Sequence, residues 1–188
     1  LGPPPVPLEA GSKAVLGFVG AGNYASSVLV PAFASSGARL KSIASATGVS
    51  SIHVGKKYQF EEATTDSVSL LSDESVNALV ISTRHDSHAR WVKQGLEAGK
   101  HIFVEKPLTL YREELLELET CYKTLVKAPL LMVGFNRRYS PLIQRVKTAL
   151  DIKLQPASFV YTVNAGAIPS DHWTQDLAVG GGRIVGEA

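Results

Sequence analysis

The chain has 188 residues, of which 45% are hydrophobic, and this is enough for one domain with a sizeable core and part of a second. Nineteen Lys and Arg against seventeen Asp and Glu leave a formal net charge of +2, and the basic residues are scattered, which argues against a nucleic-acid-binding protein. A single cysteine, Cys121, excludes an intrachain disulfide and a structural zinc site and favours the cytoplasm; no metal site is predicted. No apolar run approaches the roughly 20 residues that a membrane-spanning helix needs.

The chain starts with the segment LGPPPVPLEAG, which contains four prolines and neither a Met nor a signal-peptide pattern. Because proline favours extended backbone, residues 1–11 are predicted to form a linker. We expect the chain to be an excised piece of a longer protein.

Apolar segments alternate with helical patterns from residue 13 onward. Six strands are predicted, at residues 13–19, 38–45, 62–65, 76–83, 100–106 and 129–135. Helices are predicted between them, at about residues 24–35, 46–60, 87–99 and 111–126, with Gly99 as a C-cap and Thr109 as an N-cap. Apolar strands that alternate with amphipathic helices indicate a parallel sheet covered on both faces. We therefore predict an α/β fold, a Rossmann-type doubly wound domain over residues 12–135.

Residues 136–188 are predicted to belong to a different unit. A helix predicted at residues 140–150 and a strand predicted at residues 157–163 precede a tail that contains Gly and Pro. This part is predicted to be the beginning of an α+β substrate and oligomerisation domain that is cut short.

The segment GFVGAGNYASS carries the pattern G-x-G-x-x-A directly after the first strand. In this context Gly20 allows a tight turn, Gly22 lets a pyrophosphate approach the backbone, and Ala25 is small enough for the next helix to pack on the strand. The start of that helix would present free N–H groups to the phosphates. The alternative is a glycine turn that only connects the two elements, but the flanking strand and helix favour a dinucleotide site.

The second strand ends without the acidic residue that would bind the ribose 2′-hydroxyl of NAD. Ser45 and Thr47 stand where that acid is expected, and their hydroxyls can donate to a 2′-phosphate, which a carboxylate would repel. No arginine lies beside them, and Lys56 or Lys57 would have to reach in from the following helix. NAD and NADP both stay open, with NADP slightly favoured.

Two further clusters follow the fourth and fifth strands. Thr83, His85 and His88 in ISTRHDSHA are expected at the carboxyl edge of the sheet, where doubly wound folds bind ligands, although each histidine alone would be an ordinary loop residue. Lys106 in FVEKP is expected at the same edge, followed by Pro107, whose preceding peptide bond could be cis. An ammonium fixed there could hydrogen-bond a substrate oxygen, stabilise negative charge on it, or donate a proton.

Together the segments GFVGAGNYA, STRHDSHA, EKPL and GFNRRYSP resemble the Gfo/Idh/MocA family of NAD(P)-dependent oxidoreductases, the glucose–fructose oxidoreductase and inositol dehydrogenase group. They span residues 17–141, and the last two at this spacing are more specific than the glycines. The tail GGGRIVGEA is also similar to the family's glycine-rich approach to its active-site helix. The resemblance implies hydride transfer between NAD or NADP and a carbinol or carbonyl carbon of a sugar, cyclitol or related polyol. From its charge, its single cysteine and the absence of a long apolar run, the chain is expected to be cytoplasmic without nucleic-acid or membrane partners, and a homo-oligomer is also expected.

The resemblance also implies a role for individual residues. Lys106 would be the catalytic lysine in contact with cofactor and substrate, and Glu105 and Pro107 would position it, with Glu105 also at the cofactor. The pyrophosphate would be lined by Gly20, Gly22, Asn23 and Tyr24, and the ribose and nicotinamide by Thr83, His85 and His88. Substrate contacts would come from Asn136 and Arg138, for which domain-linking contacts are the alternative. Trp173 would wall the nicotinamide pocket, for which an ordinary core position is the alternative.

Two features depart from the family pattern. In many members the tail continues to an Asp and, four residues later, to an active-site His. Gly186 stands in the place of the Asp, with Glu187 beside it, and the His would fall beyond Ala188. We expect the missing Asp to be a subfamily difference, which puts a two-residue acid/base pair in doubt.

Two other functions remain open at this point. A dinucleotide sensor could keep the pocket and lose the chemistry, because fold alone does not determine function; an intact Lys106 argues against it. A structural or interaction role, through an uncovered apolar face, is the third alternative. The chain as it stands is expected to bind nucleotide but to turn over substrate poorly.

Overall fold

The computed structural model describes residues 13–150, 156, 158–164 and 166–187, so the linker predicted at residues 1–11 lies outside the described residues. The strands are β1 (Val15–Val19), β2 (Arg39–Ala44), β3 (Glu62–Thr64), β4 (Ala78–Ile81), β5 (His101–Val104) and β6 (Leu131–Val133). The helices are α1 (Val30–Ser35), α2 (Val49–Tyr58), α3 (Ser69–Ser72), α4 (His88–Glu97), α5 (Arg112–Thr124), α6 (Pro141–Ala149) and α7 (Gly182–Glu187). A π-helical turn (Ala25–Leu29) leads into α1, and 3-10 turns occur at His85–Ser87, Asn136–Tyr139 and Trp173–Gln175.

The six strands form one parallel sheet in the order β3-β2-β1-β4-β5-β6. Strand β1 pairs with both β2 and β4, so the chain runs first to one edge of the sheet and then to the other. The strand order therefore reverses beside β1, and ligands bind in such sheets in the crevice outside the carboxyl ends of the strands at this point. The prediction of a Rossmann-type doubly wound α/β fold is confirmed.

Apolar side chains cover both faces of the sheet because successive strand residues point to opposite faces. On one face, Phe18 of β1 is fully buried and meets the rings of Phe33 and Phe60 edge to face, at centroid distances of 5.8 and 5.4 Å. On the other face, Leu79 of β4 packs in a cluster that includes Trp91 of α4. Burying an apolar side chain of this size stabilises the fold by about 1.5–3 kcal/mol, so the two clusters hold the strand ends in place.

Helix α5 begins later than the sequence pattern predicts. Thr109 is the predicted N-cap, but this is wrong, because the helix begins at Arg112 with Tyr111 as its N-cap. The carboxylate of Glu114 accepts hydrogen bonds from the N–H groups of Leu110 and Tyr111, at 3.0 and 3.1 Å, so an acid in the first turn satisfies backbone donors just before the helix. Gly99 follows α4 with a φ of 71°, as the prediction of a C-cap glycine requires.

The region after β6 is organised differently from the sheet. The helix predicted at residues 140–150 is present as α6, whereas residues 158–163, the described part of the strand predicted at 157–163, do not form a strand. Phe159, Val160 and Tyr161 are 61%, 95% and 68% exposed, and a strand with no neighbour to pair with has no ladder hydrogen bonds to stabilise it. The assignment of residues 136–188 to a second domain stays a prediction. In the described part of the chain, no helix has the length and apolar character to cross a membrane.

Candidate active site

The carboxyl ends of the central strands open into a cavity of about 1380 Å³. Most of the residues that the sequence singles out line this cavity: Gly20, Gly22, Asn23, Tyr24, Ser45, Thr83, His85, His88, Glu105, Lys106 and Asn136. Two predicted site residues, Thr47 and Arg138, are exposed and lie outside its lining. Trp173 also lines the cavity, so the fold brings together residues that are up to 153 positions apart in the sequence, from Gly20 to Trp173.

The glycine turn after β1 is shaped by close backbone contacts. Gly20 has a φ of 107°, and a Cβ placed on it would lie 2.6 Å from the carbonyl oxygen of Ser82. The Gly20 N–H donates to the carbonyl of Ala44 at 2.9 Å, so the turn is held against the ends of both β2 and β4. A Cβ on Gly22 would meet no atom within 4 Å, and this residue leaves the cavity open above the start of the following helix. The turn thus has the cradle that a pyrophosphate needs.

The end of β2 carries hydroxyls that are already hydrogen-bonded. The Ser45 hydroxyl accepts from the N–H of Ser51 at 3.2 Å and lies 3.1 Å from the Ser51 hydroxyl. Lys56 and Lys57 do not line the cavity, and the Lys57 ammonium lies 5.1 Å from the centroid of the Tyr58 ring. Neither lysine therefore contributes positive charge to the end of β2 in this arrangement.

One wall of the cavity is not anticipated by the sequence motifs. It consists of Arg90, Trp91 and Gln94 on α4 and of residues 65–68 in the loop after β3. The Oε1 atom of Gln94 is buried and has no hydrogen-bonding partner among the described residues. A helix that directly follows ISTRHDS and carries Arg, Trp and Gln on one side is the signal that could have located this wall.

His88 connects the two polar loops that follow β4 and β5. Its ring is fully buried, with Nδ1 2.7 Å from the carbonyl oxygen of Pro107 and Nε2 3.1 Å from that of Thr83. Burial lowers the pKa of His88, and the two carbonyl contacts oppose that shift. A neutral imidazole can donate from only one nitrogen, and the shorter contact assigns the proton to Nδ1. His88 therefore fixes the loop positions, while its predicted place beside the nicotinamide stays a prediction.

Glu105 and Lys106 follow β5 at the cavity wall. The Lys106–Pro107 peptide bond is cis, as the sequence suggested, and the Lys106 ammonium donates a hydrogen bond to the carbonyl oxygen of Gly186. Lys106 is the sequence's candidate for catalysis, and its amine reaches the glycine-rich tail.

The carboxyl group of Glu105 is buried below Lys106. Its Oε2 accepts from the Lys106 N–H at 3.3 Å, and its Oε1 has no hydrogen-bonding partner in the described part of the chain. Burial raises the pKa of Glu105, while the Lys106 N–H and the charge of Lys106 lower it. A Cβ on Gly134 would lie 2.7 Å from Oε1, so the glycine of GFNRRY makes room for this carboxyl.

The segment after β6 contributes a second set of contacts. The Asn136 side-chain amide donates to the Tyr24 hydroxyl at 2.8 Å, which joins this segment to the glycine turn. Arg137, which the sequence did not single out, lines the cavity, whereas the Arg138 guanidinium lies 4.9 Å from the centroid of the Tyr139 ring. The signal RR does not distinguish which arginine lines the cavity, because the answer depends on the 3-10 turn at Asn136–Tyr139.

The tail packs on the loop after β4. The Trp173 ring meets the His85 ring edge to face at 4.8 Å, and the Arg84 guanidinium lies 5.8 Å from the Trp173 centroid. The carbonyl of Gly180 lies 2.8 Å from Nδ1 of His85, and the N–H of Asp86 donates to Val179 at 3.1 Å. The glycine-rich tail is thus attached to the same loop that lines the cavity.

The residues present fit a dinucleotide. The Gly20 turn is a cradle that a side chain would fill, and Lys106 and the α4 wall line the same cavity. Two buried acceptors, Oε1 of Gln94 and Oε1 of Glu105, lack donors among the described residues, and a ribose or an adenine amine offers donors. A cavity with these features, at the point where the strand order reverses, defines a nucleotide-binding domain of the Rossmann class.

The family follows from the sequence profile. The profile of the Gfo/Idh/MocA oxidoreductase family, described by its NAD-binding Rossmann fold, matches residues 15–135, and the chain belongs to this family. The resemblance that the motifs indicated is therefore confirmed.

Several characterised proteins are similar to this chain. Inositol 2-dehydrogenase of Rhizobium meliloti (strain 1021) is 34% identical over 137 residues, which are 72% of this chain and 40% of that enzyme. The scyllo-inositol 2-dehydrogenase (NAD(+)) of Bacillus subtilis (strain 168) is 31% identical over 138 residues, 73% of this chain and 39% of that enzyme. The structure of KijD10, a 3-ketoreductase from Actinomadura kijaniata in complex with NADP, matches with a TM-score of 0.68 and 25% identity, over 76% of this chain and 45% of the other. The chain thus spans about two fifths of the length of the curated relatives that it matches.

Proposed function

We propose that this chain is the nucleotide-binding part of an NAD(P)-dependent dehydrogenase that acts on a carbinol or carbonyl group of a cyclitol, sugar or related polyol. The observation that carries the proposal is the position of Lys106, whose amine stands in the same cavity as the Gly20 turn. The substrate class is supported by the names of the relatives, two of which are inositol dehydrogenases.

The side chains around Lys106 have separable tasks in this reaction. An ammonium has three donors and no acceptor, so Lys106 can hold a substrate oxygen and stabilise the negative charge that develops on it. Glu105 is buried next to Lys106, with Oε2 accepting from the Lys106 N–H and Oε1 lying against Gly134, and His88 contacts the carbonyls of Thr83 and Pro107. When bound, a nicotinamide supplies the redox chemistry, and the chain's residues supply orientation and electrostatics.

Replacing the lysine tests the proposal. In Lys106→Ala the oxidation of myo-inositol by the complete gene product should fall by about 10²–10³-fold, because the transition state loses its charged donor. Binding of NADH or NADPH, followed by nucleotide fluorescence, should persist, since the glycine turn is unchanged. Lys127→Ala, an exposed lysine outside the cavity, is the matched control. Equal turnover in Lys106→Ala and the parent would reject the role of the lysine.

We further propose that the cofactor is NADP rather than NAD. The end of β2 presents Ser45 and no carboxylate, and a carboxylate is the group that would repel a 2′-phosphate. The support from relatives is divided, because the 3-ketoreductase structure contains NADP and the Bacillus enzyme is named for NAD(+). Fluorescence titration of the chain with NADPH and with NADH compares the two affinities, and NADPH is expected to bind more tightly. Tighter binding of NADH would overturn the preference, and binding of neither would contradict the nucleotide site itself.

We also propose that the protein works in the cytoplasm as a homo-oligomer. A single cysteine suits a reducing compartment, and large apolar side chains beyond β6, including Leu142 and Val160, are 72% and 95% exposed. Light scattering of the complete gene product measures its mass directly, and a monomer at all concentrations would contradict the oligomer.

A sensor that binds nucleotide without catalysis is the alternative. The structure gives one observation in its favour, because the Lys106 ammonium is hydrogen-bonded within the chain, to the carbonyl of Gly186. Nucleotide binding without turnover of any cyclitol or sugar by the complete gene product would favour the sensor.

A further inference from the structure

Arg84 lies in the segment ISTRHDSHA, between Thr83 and His85, and lines the same cavity as Lys106. Its carbonyl oxygen accepts from the hydroxyl of Ser87 at 2.9 Å, whereas its guanidinium forms no hydrogen bond or ion pair with any residue that the structure describes. A guanidinium carries several N–H donors and no acceptor. These donors are therefore available to a ligand in the cavity.

The ring of Trp173 restrains the guanidinium of Arg84. The Cζ atom of Arg84 lies 5.8 Å from the centroid of this ring, which is within the range of a cation–π contact. Trp173 also lines the cavity, and its ring meets that of His85 edge to face at 4.8 Å. A cation–π contact uses the charge of the guanidinium and no hydrogen-bond acceptor. Arg84 is thus held at the cavity wall while its N–H groups have no acceptor among the described residues.

A series of contacts connects Arg84 to Lys106. Trp173 contacts both Arg84 and His85, and a Cβ placed on Gly186 would lie 3.7 Å from Cε1 of His85. The Lys106 ammonium donates to the carbonyl of the same glycine, and the charge of Lys106 is one of the causes that lower the pKa of His85. Arg84 therefore belongs to the part of the cavity wall that reaches the candidate catalytic lysine.

The other charged groups of the cavity leave the charge of Arg84 uncompensated. The lining contains four basic side chains, those of Arg84, Arg90, Lys106 and Arg137, and three acidic ones, those of Asp66, Asp86 and Glu105. Asp66 accepts from two backbone N–H groups of its own loop, and Glu105 accepts from the Lys106 N–H. Asp86 is close to Arg84 in the sequence, but no ion pair joins these two residues. An anionic group is the ligand that would satisfy both the charge and the donors of Arg84.

We propose that Arg84 determines substrate specificity by binding an anionic group, a carboxylate or a phosphate, on the polyol that the enzyme converts. The inference rests on the proposed dehydrogenase function and narrows its substrate class to sugar acids and polyol phosphates. An arginine binds either anion through two parallel N–H···O hydrogen bonds. With Lys106 on the oxygen at the reacting carbon and Arg84 on the anionic group, the substrate is oriented at two points.

The pyrophosphate of the cofactor is the second anion that could reach Arg84. A Cβ on Gly20 would lie 3.0 Å from the backbone nitrogen of Thr83, the residue before Arg84, so the glycine turn is close in space. The position of Trp173 favours the substrate instead, because this ring and His85 join Arg84 to the segment that contacts Lys106. Separate affinities for cofactor and substrate distinguish the two anions.

Binding to the complete gene product saturated with NADPH tests the proposal, because the reduced cofactor prevents oxidation of the sugar during the measurement. Two pairs are compared by calorimetric titration: D-glucuronate with D-glucose, which tests a carboxylate, and myo-inositol 1-phosphate with myo-inositol, which tests a phosphate. In at least one pair the anion should bind about 10-fold or more tightly than its neutral partner, because a charge-assisted hydrogen bond is made only to the anion. Equal affinities within both pairs would overturn the proposal.

Variants of Arg84 assign that preference to its charge. Arg84→Gln should reduce the preference to about twofold or less, while the affinity for NADPH stays close to that of the parent. Arg84→Lys should recover part of the preference, since it keeps the charge and loses the planar fork. Arg112→Gln, at an exposed arginine outside the cavity, is the matched control and should keep the full preference. A preference that persists in Arg84→Gln, or a loss of NADPH affinity as large as the loss of anion affinity, would reject the role of Arg84.

Salt distinguishes an ion pair from a contact that only shapes the cavity. Raising the NaCl concentration should weaken binding of the preferred anion and leave binding of its neutral partner nearly unchanged, because salt screens charges that are open to solvent. An anion affinity that does not respond to salt would contradict the proposal.

The two hypotheses fail differently. If the unmodified gene product neither binds nucleotide nor converts any cyclitol, sugar or sugar acid, the proposed dehydrogenase function is contradicted, and the role of Arg84 is rejected with it. If the gene product binds nucleotide and converts a polyol but does not prefer the anions, only the role of Arg84 is rejected.

Discussion

The six-stranded sheet and the segment after β6 use apolar residues in opposite ways. In the sheet, Phe18, Ile43 and Leu79 are fully buried, whereas Leu142 of α6 and Val160 are 72% and 95% exposed. Both regions have strand-like or amphipathic patterns in the sequence, but among the residues that the structure describes only the sheet buries its apolar side chains against neighbouring elements. The pattern of apolar residues therefore shows which side chains a segment can bury. They become buried only where another part of the structure packs against them.

A matched pair of phenylalanines measures the largest difference between the regions. Phe18→Ala should lower the free energy of unfolding by about 3–5 kcal/mol, because it empties a site that is packed by Phe33 and Phe60. Phe159→Ala, at a side chain that is 61% exposed, should change it by less than about 0.5 kcal/mol. Urea denaturation followed by circular dichroism gives both values. Similar losses of unfolding free energy in the two variants would mean that the segment around Phe159 is packed as firmly as the sheet.

A pair of glycines separates the stability of the site from its binding function. Gly20→Ala should destabilise the fold by about 2–4 kcal/mol, since its φ is 107° and the new methyl would meet the Ser82 carbonyl. In Gly22→Ala the methyl points into open space, so stability should stay within about 0.5 kcal/mol of the parent while NADPH binding weakens. Denaturation and nucleotide fluorescence are measured on both variants. Undiminished NADPH binding by Gly22→Ala would show that the pyrophosphate does not approach this turn.

Acid should lower the free energy of unfolding through three histidines of the sheet and its loops. Burial lowers the pKa of His85, His88 and His101 in the folded state, so the unfolded chain binds more protons once the pH falls below about 6.5. Their neutral forms are fully compatible with the fold above that pH, and stability is lost as the pH falls toward the folded-state pKa values. The free energy of unfolding, measured between pH 7.5 and pH 5 in the parent and in His88→Gln, should show a shallower pH dependence in the variant. An identical slope would mean that His88 does not titrate on unfolding.

The sequence predicts most of the sheet and the motifs of the site because both depend on local features. Strands such as Val15–Val19 are short apolar runs beside glycine, and the carboxyl-edge rule then places Thr83 and Lys106 near the Gly20 turn. The α4 wall with Gln94 and the place of Arg137 in the cavity lining depend on how a helix and a 3-10 turn rotate against neighbours. The strand predicted at residues 157–163 fails for the related reason that pairing needs a second strand, which a single segment does not encode.

The contact between Gly134 and Glu105 restricts how the two positions can change together. A Cβ at position 134 would lie 2.7 Å from Oε1 and 3.0 Å from the carboxyl carbon of Glu105, so the two residues compete for one volume. Their substitutions should therefore be thermodynamically coupled: Gly134→Ala should be costly with glutamate at position 105 and tolerated with the shorter Glu105→Asp. Among related sequences, a larger residue at the position of Gly134 should accompany a shorter one at the position of Glu105. The size of the residue at position 134 should therefore indicate how long a side chain position 105 can accommodate.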